Sequence, residues 1–239
     1  INLSVPAQKE LHAFLKDFAI RNQILILCAT HCPFLISSDD LDELRIVSCD
    51  ENGIATIDNE YSLLSRYSNV AAEIKRALTL EKYQIINPNS KVVFVESMDD
   101  YNILTAFKQV LDIDNINEIF FFPIGNINEN EDVGRLMDEI HRIYKRNPVI
   151  LLPQGRAYDR VEDYCKKDEK CRYVLVCNYG LIGEFFVSLN SLFGLDLSSL
   201  NDGTYYFKNH IQSIKDSLSD GTIGNFRTLF SKILSEIGE

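Results

Sequence analysis

From residue 91 onward the chain alternates short, wholly apolar runs with longer segments of helical period, and that order leaves few folds open. Val92-Val93-Phe94-Val95, Ile119-Phe120-Phe121-Phe122, Val149-Ile150-Leu151-Leu152 and Tyr173-Val174-Leu175-Val176 are the runs. Each is short and continuous, without the polar alternation of a one-sided sheet, so each reads as a strand buried on both faces. Between them, Met98 to Leu111, Val133 to Tyr144 and Tyr158 to Lys167 carry apolar residues at helical spacing. Strands alternating with helices require crossover connections. The expectation is an α/β fold with a mostly parallel four-stranded sheet flanked by helices. In such sheets function gathers at the carboxyl ends of the strands.

Three more helices are expected, over Leu181 to Leu192, Tyr206 to Leu218 and Ile223 to Ile237. Phe207, Ile211, Ile214 and Leu218 form one apolar stripe, and Phe226, Leu229, Phe230, Ile233 and Ile237 another. Such stripes are expected to cover the sheet. Docking of a partner is their other use.

The first ninety residues read differently. Ser4 is placed to cap a helix, Pro6 suits its first turn, and Leu11, Phe14, Leu15 and Phe18 follow at helical spacing. Ile24-Leu25-Ile26-Leu27-Cys28-Ala29 is read as a buried strand, with Thr30-His31-Cys32-Pro33 at its carboxyl end. Arg45 to Ser48 and Ile54 to Ile57 flank Asp50-Glu51-Asn52-Gly53, a hairpin signal. Tyr61 to Leu80 is helical in pattern, and Asn87-Pro88-Asn89-Ser90 is a turn cluster that marks a boundary. The organisation expected is residues 1–58, a connecting helix over 59–88, and an α/β unit over 89–239. The opening Ile1-Asn2-Leu3 is neither an initiator Met nor a signal peptide, so the chain reads as a piece of a longer polypeptide.

Composition narrows the function classes. The chain of 239 residues carries 24 Lys and Arg against 35 Asp and Glu, a net charge of −11. This balance argues against broad electrostatic binding of nucleic acid. It leaves open DNA held through metal ions by carboxylates. No apolar run reaches the roughly 18 residues of a membrane span. The six cysteines, in a chain with no export signal, read as reduced thiols in a cytoplasmic protein.

Three polar groups fall at the expected carboxyl edge. His31 is suited to donate to a phosphate or act as a base; a structural loop hydrogen bond is the plain alternative. Glu96 ends the strand 92–95 and Asp100 lies in the first turn of the next helix. Two carboxylates this close suit a hard divalent cation such as Mg²⁺. Acids at a helix N-terminus are also favoured by the helix dipole alone. Glu184 stands among apolar residues, where a buried carboxylate needs a metal or an Arg as partner; its alternative is to face solvent. Asp159, Glu162 and Asp163 have the spacing of a solvated helix face. Cys28, His31 and Cys32 lack a second pair at zinc-finger spacing, so zinc is not expected. No Gly-rich phosphate loop with a following Lys-Ser/Thr is present.

Two stretches together resemble one family. Leu3-Ser4-Val5-Pro6-Ala7-Gln8, a helix, then Ile24 to Ala29 and Thr30-His31-Cys32-Pro33 resemble the end of an ABC-type ATPase head. The heads in question belong to the overcoming-lysogenization-defect (OLD) nucleases and their relatives. There a Leu-His-Pro-x-x-Gln stretch leads to a Thr-His-Ser-Pro switch loop. Leu3, Gln8 and His31 match; Ser4 and Val5 replace His-Pro, and Cys32 replaces Ser. The resemblance implies that His31 senses the γ-phosphate of ATP, with the nucleotide-holding motifs upstream of Ile1.

The second half resembles the Toprim domain that follows the head in that family. Lys91 to Asp100 is similar to a strand ending in Glu-Gly-x-x-Asp, with Glu96 and Asp100 matching and Ser97 replacing Gly. Phe122-Pro123-Ile124-Gly125-Asn126 resembles the second strand and its Gly-Gly turn. Leu181-Ile182-Gly183-Glu184-Phe185-Phe186 resembles a late Ile-Glu-Asn-Tyr stretch, with Glu184 at a different offset. The third strand of the family ends in Asp-x-Asp, and here Pro153 and Gly155 stand at those places.

The resemblance therefore implies an OLD-like ATPase with a degenerate Toprim unit, of the kind found in anti-phage defence. On this expectation the Toprim part serves in dimerisation, as a homo-oligomer, or in docking a protein effector or regulator. The alternative is an active, ATP-gated endonuclease that cleaves DNA with Mg²⁺ or Mn²⁺ held by Glu96, Asp100 and Glu184, with Glu96 as base or ligand.

Overall fold

The structure, a computed structural model, describes residues 3–30, 32, 35–37, 39–58, 91–125, 127, 130–143, 148–152, 155–167, 175–178 and 203–237. Helix α1 (Val5–Asn22) begins as its sequence asks. The Ser4 hydroxyl accepts from the Ala7 N–H at 3.5 Å, and Pro6 sits in the first turn. Gln23 ends the helix in the left-handed region and returns its N–H to the carbonyls of Ala19 and Ile20.

Residues 24–30 correct the sequence expectation. They form no strand, and Leu25 and Leu27 are 84% and 85% exposed. A buried strand needs neighbours on both edges and cover on both faces. Among the described residues no strand pairs with this run.

A 3₁₀ turn (Leu41–Glu43) follows, and then the expected hairpin of β1 (Ile46–Cys49) and β2 (Ala55–Asp58). Its turn is built by Asp50. One carboxylate oxygen accepts from the N–H groups of Asn52 and Ile54, at 2.9 and 2.7 Å. Gly53 takes a φ of 79°, which a side chain would resist.

The α/β unit contains β3 (Lys91–Val95), α2 (Met98–Val110), β4 (Ile119–Pro123), α3 (Asn130–Ile143), β5 (Val149–Leu152), α4 (Arg156–Lys167) and β6 (Leu175–Asn178). Two further helices, α5 (Gly203–Ile214) and α6 (Asp220–Ile237), follow. The strands lie in the order β4-β3-β5-β6 and every pair is parallel. The expected helix over 61–80, the boundary at 87–90 and the helix over 181–192 lie outside the described residues.

The chain leaves β3 toward β4, returns past it to β5, and then continues outward to β6. The direction of travel therefore switches between β3 and β5. Helix α2 packs on α5 and over β4, whereas α3 packs on α4. Right-handed crossovers that diverge from a switch point put their helices on opposite faces in this way.

The core is what the apolar runs supply. Val92 to Val95, Ile119 to Phe122 and Val149 to Leu152 are all buried. The late stripes cover this sheet, as expected. Phe226 of α6 stacks on Phe107 of α2 with centroids 3.6 Å apart, and Phe230 meets Phe121 of β4 edge-on at 5.7 Å. Burying a side chain of this kind contributes about 1.5–3 kcal/mol. Leu41 belongs to the same core: it is fully buried, and its N–H donates to the Tyr101 hydroxyl at 3.0 Å.

Candidate functional site

In open parallel sheets the crevice at a switch point, beyond the carboxyl ends of the strands, is where ligands bind. Here that crevice lies beyond β3 and β5. Glu96 is the first residue after β3 and is half-buried. Ser97 then caps α2 through a reciprocal pair of bonds. The Asp100 N–H donates to the Ser97 hydroxyl at 3.1 Å, and the Ser97 N–H donates to Asp100 Oδ2 at 3.0 Å. The sequence Ser97-x-x-Asp100 is thus a working capping box.

The neighbouring loop is stitched to this one. Ile124 and Gly125 donate their N–H groups to the carbonyls of Val95 and Glu96, at 2.8 and 2.9 Å. Gly125 has a φ of 88°, the left-handed conformation that lets the turn after β4 close on β3. Arg160 of α4 donates to the Ile127 carbonyl at 2.9 Å and ties α4 to the same turn.

The electrostatics single out Glu96. Burial, and then the charge of Asp100, push its carboxyl above the usual range. A cation between the two would relieve both costs. The pair fits Mg²⁺ or Mn²⁺ chemically, because such ions commonly take one or two carboxylates and complete their shell with waters and phosphate oxygens. Among the described residues no group of three or more His, Cys, Asp and Glu side chains stands close enough to hold a metal.

Of the residues marked in sequence, the structure brings Glu96 and Asp100 together at the sheet edge. His31 and Glu184 lie outside the described residues. Asp159, the first acid after β5, is exposed on α4, and Glu162 there pairs with Lys166 at 2.9 Å, as on a solvated face. Cys32 lies near the start of α1: its thiol donates to Gln8 Oε1 at 2.7 Å.

Sequence reasoning missed a second charged cluster. Lys208 of α5, 1% exposed, bonds the Asp42 carboxylate and the Asp39 carbonyl, and lies 3.7 Å from Asp40. Lys108 of α2 pairs with Asp39 at 2.9 Å. Lys16 of α1 bonds Asp40 and reaches Glu43 at 3.0 Å, and His12 stands 3.8 Å from Asp40. Burial raises Asp40, but the Lys16 and Lys208 charges outweigh it and hold the group below the usual carboxylate range. Asp42 goes the other way, because burial and the charges of Asp40 and Glu43 outweigh Lys208. The run Asp39-Asp40-Leu41-Asp42-Glu43 was the available signal; a lone Lys beside Phe207 gave no hint of its partner.

No family model matches the chain, and no curated protein gives a significant match. Among the described residues no helix is long and apolar enough to cross a membrane.

Proposed function

We propose that this chain is the C-terminal part of an OLD-like ATPase with a Toprim-like unit that does not cleave DNA. In this reading the unit serves in dimerisation or in docking a partner or effector, in the anti-phage setting the resemblance implies, and in the cytoplasm that the reading of its cysteines as reduced thiols suits. The observation that carries it is the asymmetry of the crevice. Glu96 and Asp100 stand beyond β3. The stretch after β5 reads Pro153-Gln154-Gly155-Arg156, and its first acid, Asp159, is exposed on a helix. Metal-assisted attack on a phosphodiester needs carboxylates that hold the ion in fixed geometry and balance its charge. The β5 side of the crevice supplies no acid before Asp159 to complete such a set.

The ATPase part of the reading draws support from the bond between Cys32 and Gln8. It brings together the two N-terminal stretches that resemble the ATPase head. ATP would be held by motifs upstream of Ile1, with His31 sensing its γ-phosphate.

A second reading, an ATP-gated Mg²⁺- or Mn²⁺-dependent endonuclease, is favoured by one feature. The Glu96 carboxyl is raised beside Asp100, as in sites where a cation later binds. Plasmid nicking by the intact protein with Mg²⁺ or Mn²⁺, beside Glu96→Ala, separates the two. ATP hydrolysis without nicking is the expected result. Nicking that disappears in Glu96→Ala would overturn the non-cleaving reading.

A further inference from the structure

Helix α5 grips two distant parts of the molecule with side chains one turn apart. Thr204 and Lys208 lie at i and i+4, on one face of the helix, and both are buried. Lys208 holds the turn 39–43 through Asp42 and the Asp39 carbonyl. Thr204 donates to Asp99 Oδ1 at 2.6 Å and accepts from Asn102 Nδ2 at 3.2 Å. Asp99 is in the first turn of α2, between the capping Ser97 and Asp100. Two sets of polar contacts, one to Asp40 and Asp42 and one to Asp99 and Asn102, are therefore joined by a single turn of the α5 backbone.

The N-terminal end of this series is strained by charge. Four carboxylates, those of Asp39, Asp40, Asp42 and Glu43, share three lysines, Lys16, Lys108 and Lys208. Asp42 Oδ2 is buried with no hydrogen-bond partner. Low dielectric makes such a half-satisfied network costly as well as strong. Asn102 Oδ1 and Thr105 Oγ1 of α2, also buried, lack partners too. Unsatisfied polar atoms therefore stand both on the turn 39–43 and on α2.

We infer that the turn 39–43 is a releasable latch, and that α5 transmits its engagement through Lys208 and Thr204 to the first turn of α2, which carries Asp99 and Asp100. Engaged, the latch holds the edge beside Glu96 in the arrangement described above. Released, it frees α5 to shift and loosens the capped end of α2. The inference rests on the proposed function only where it treats that edge as functional. The coupling itself depends on neither metal nor nucleotide.

Backbone hydrogen exchange read by mass spectrometry tests it, on the full chain without metal or ATP. In Asp42→Asn, amides in 39–46 and in 97–104 are expected to exchange at least about tenfold faster, with 149–152 in β5 unchanged. Faster exchange confined to 39–46 would overturn the coupling, and so would a uniform rise that includes β5, or no change. Thr204→Val supplies the second variant if Asp42→Asn does not fold. Coupling is reciprocal, so Thr204→Val should speed 39–46 as well as 97–104. A change at 97–104 alone would sink the inference. Because no step reads nuclease or ATPase activity, a failure here leaves the proposed function standing, and the reverse holds too.

Discussion

The Lys208 ammonium and the Asp42 carboxylate meet inside the protein although 166 positions of chain separate them. The lysine stem lies near the Tyr101 ring, whose centroid is 5.5 Å from Nζ, and the Tyr101 hydroxyl holds the backbone of Leu41. With Lys108, which pairs with Asp39, this buried cation anchors the turn 39–43 to the α/β unit.

Removing that cation leaves Asp42 buried without its partner and Asp40 with Lys16 as its remaining lysine. Lys208→Ala is expected to cost about 3–5 kcal/mol of stability, the penalty typical of an orphaned buried charge. Lys208→Met combined with Asp42→Leu should recover most of it, since apolar replacement removes the desolvation cost as well. Urea unfolding of the single and double variants measures both.

Asp40 and Glu96 should titrate stability in opposite senses. Asp40 is held below its ordinary value of 3.8, so its contribution is present above that pH and is lost as pH falls through its folded value. Asp40→Asn is expected to be less stable than wild type at pH 7, with the gap closing below pH 3.8. Glu96 is raised above 4.5, so its ionisation at neutral pH opposes folding. Glu96→Gln should melt slightly higher at pH 7, by less than about 2 °C because water screens a half-buried group. That gain should vanish below pH 4.5. Melting curves across this range give both signs.

The capping box at the start of α2 should be worth about 1 kcal/mol. Ser97→Ala removes the acceptor for the Asp100 N–H and is expected to lose about 0.5–2 kcal/mol. Ser97→Asp keeps an acceptor and should lose less. Equal losses for the two variants would show that the cap contributes nothing.

The run 24–29 offers a sharp contrast with a true strand. Leu25 and Leu27 face solvent, so Leu25→Ser and Leu27→Ser should each change stability by no more than about 0.5 kcal/mol. Val93→Ala, at a fully buried position in β3, should cost distinctly more. Thermal or urea unfolding of the three variants decides it.

The elements that sequence specified most clearly were those with two agreeing signals. The strand Val92 to Val95 is wholly apolar and is followed by acids that suit a helix N-terminus, so its type and its end were both legible. The hairpin announced itself through Asp50 and Gly53, whose roles are local. The run Ile24 to Ala29 has the same apolar character as β3, but periodicity cannot tell a paired segment from an unpaired one. The edge position of Glu96 and Asp100 followed from strand order alone. Asp100 carried two readings, an acid favoured by the helix dipole and a metal ligand; the bond it accepts from the Ser97 N–H, which closes a capping box, was in neither. Lys208 escaped notice because a buried ion pair depends on a partner far along the chain, and no local pattern records it.

The order β4-β3-β5-β6 also bears on how the molecule assembles. β1 and β2 find each other across the five residues 50–54, within the reach of a rapid local search. Every pairing in the parallel sheet instead closes over a complete crossover, and β3, made first, stays incomplete until β5 arrives from the far side of α3. Loop-closure entropy must be met before those contacts give any return. Refolding should therefore proceed in two well-separated phases, an early one reporting the hairpin and a slower one reporting Phe94, Phe121 and Phe226 as the sheet and its helices close together.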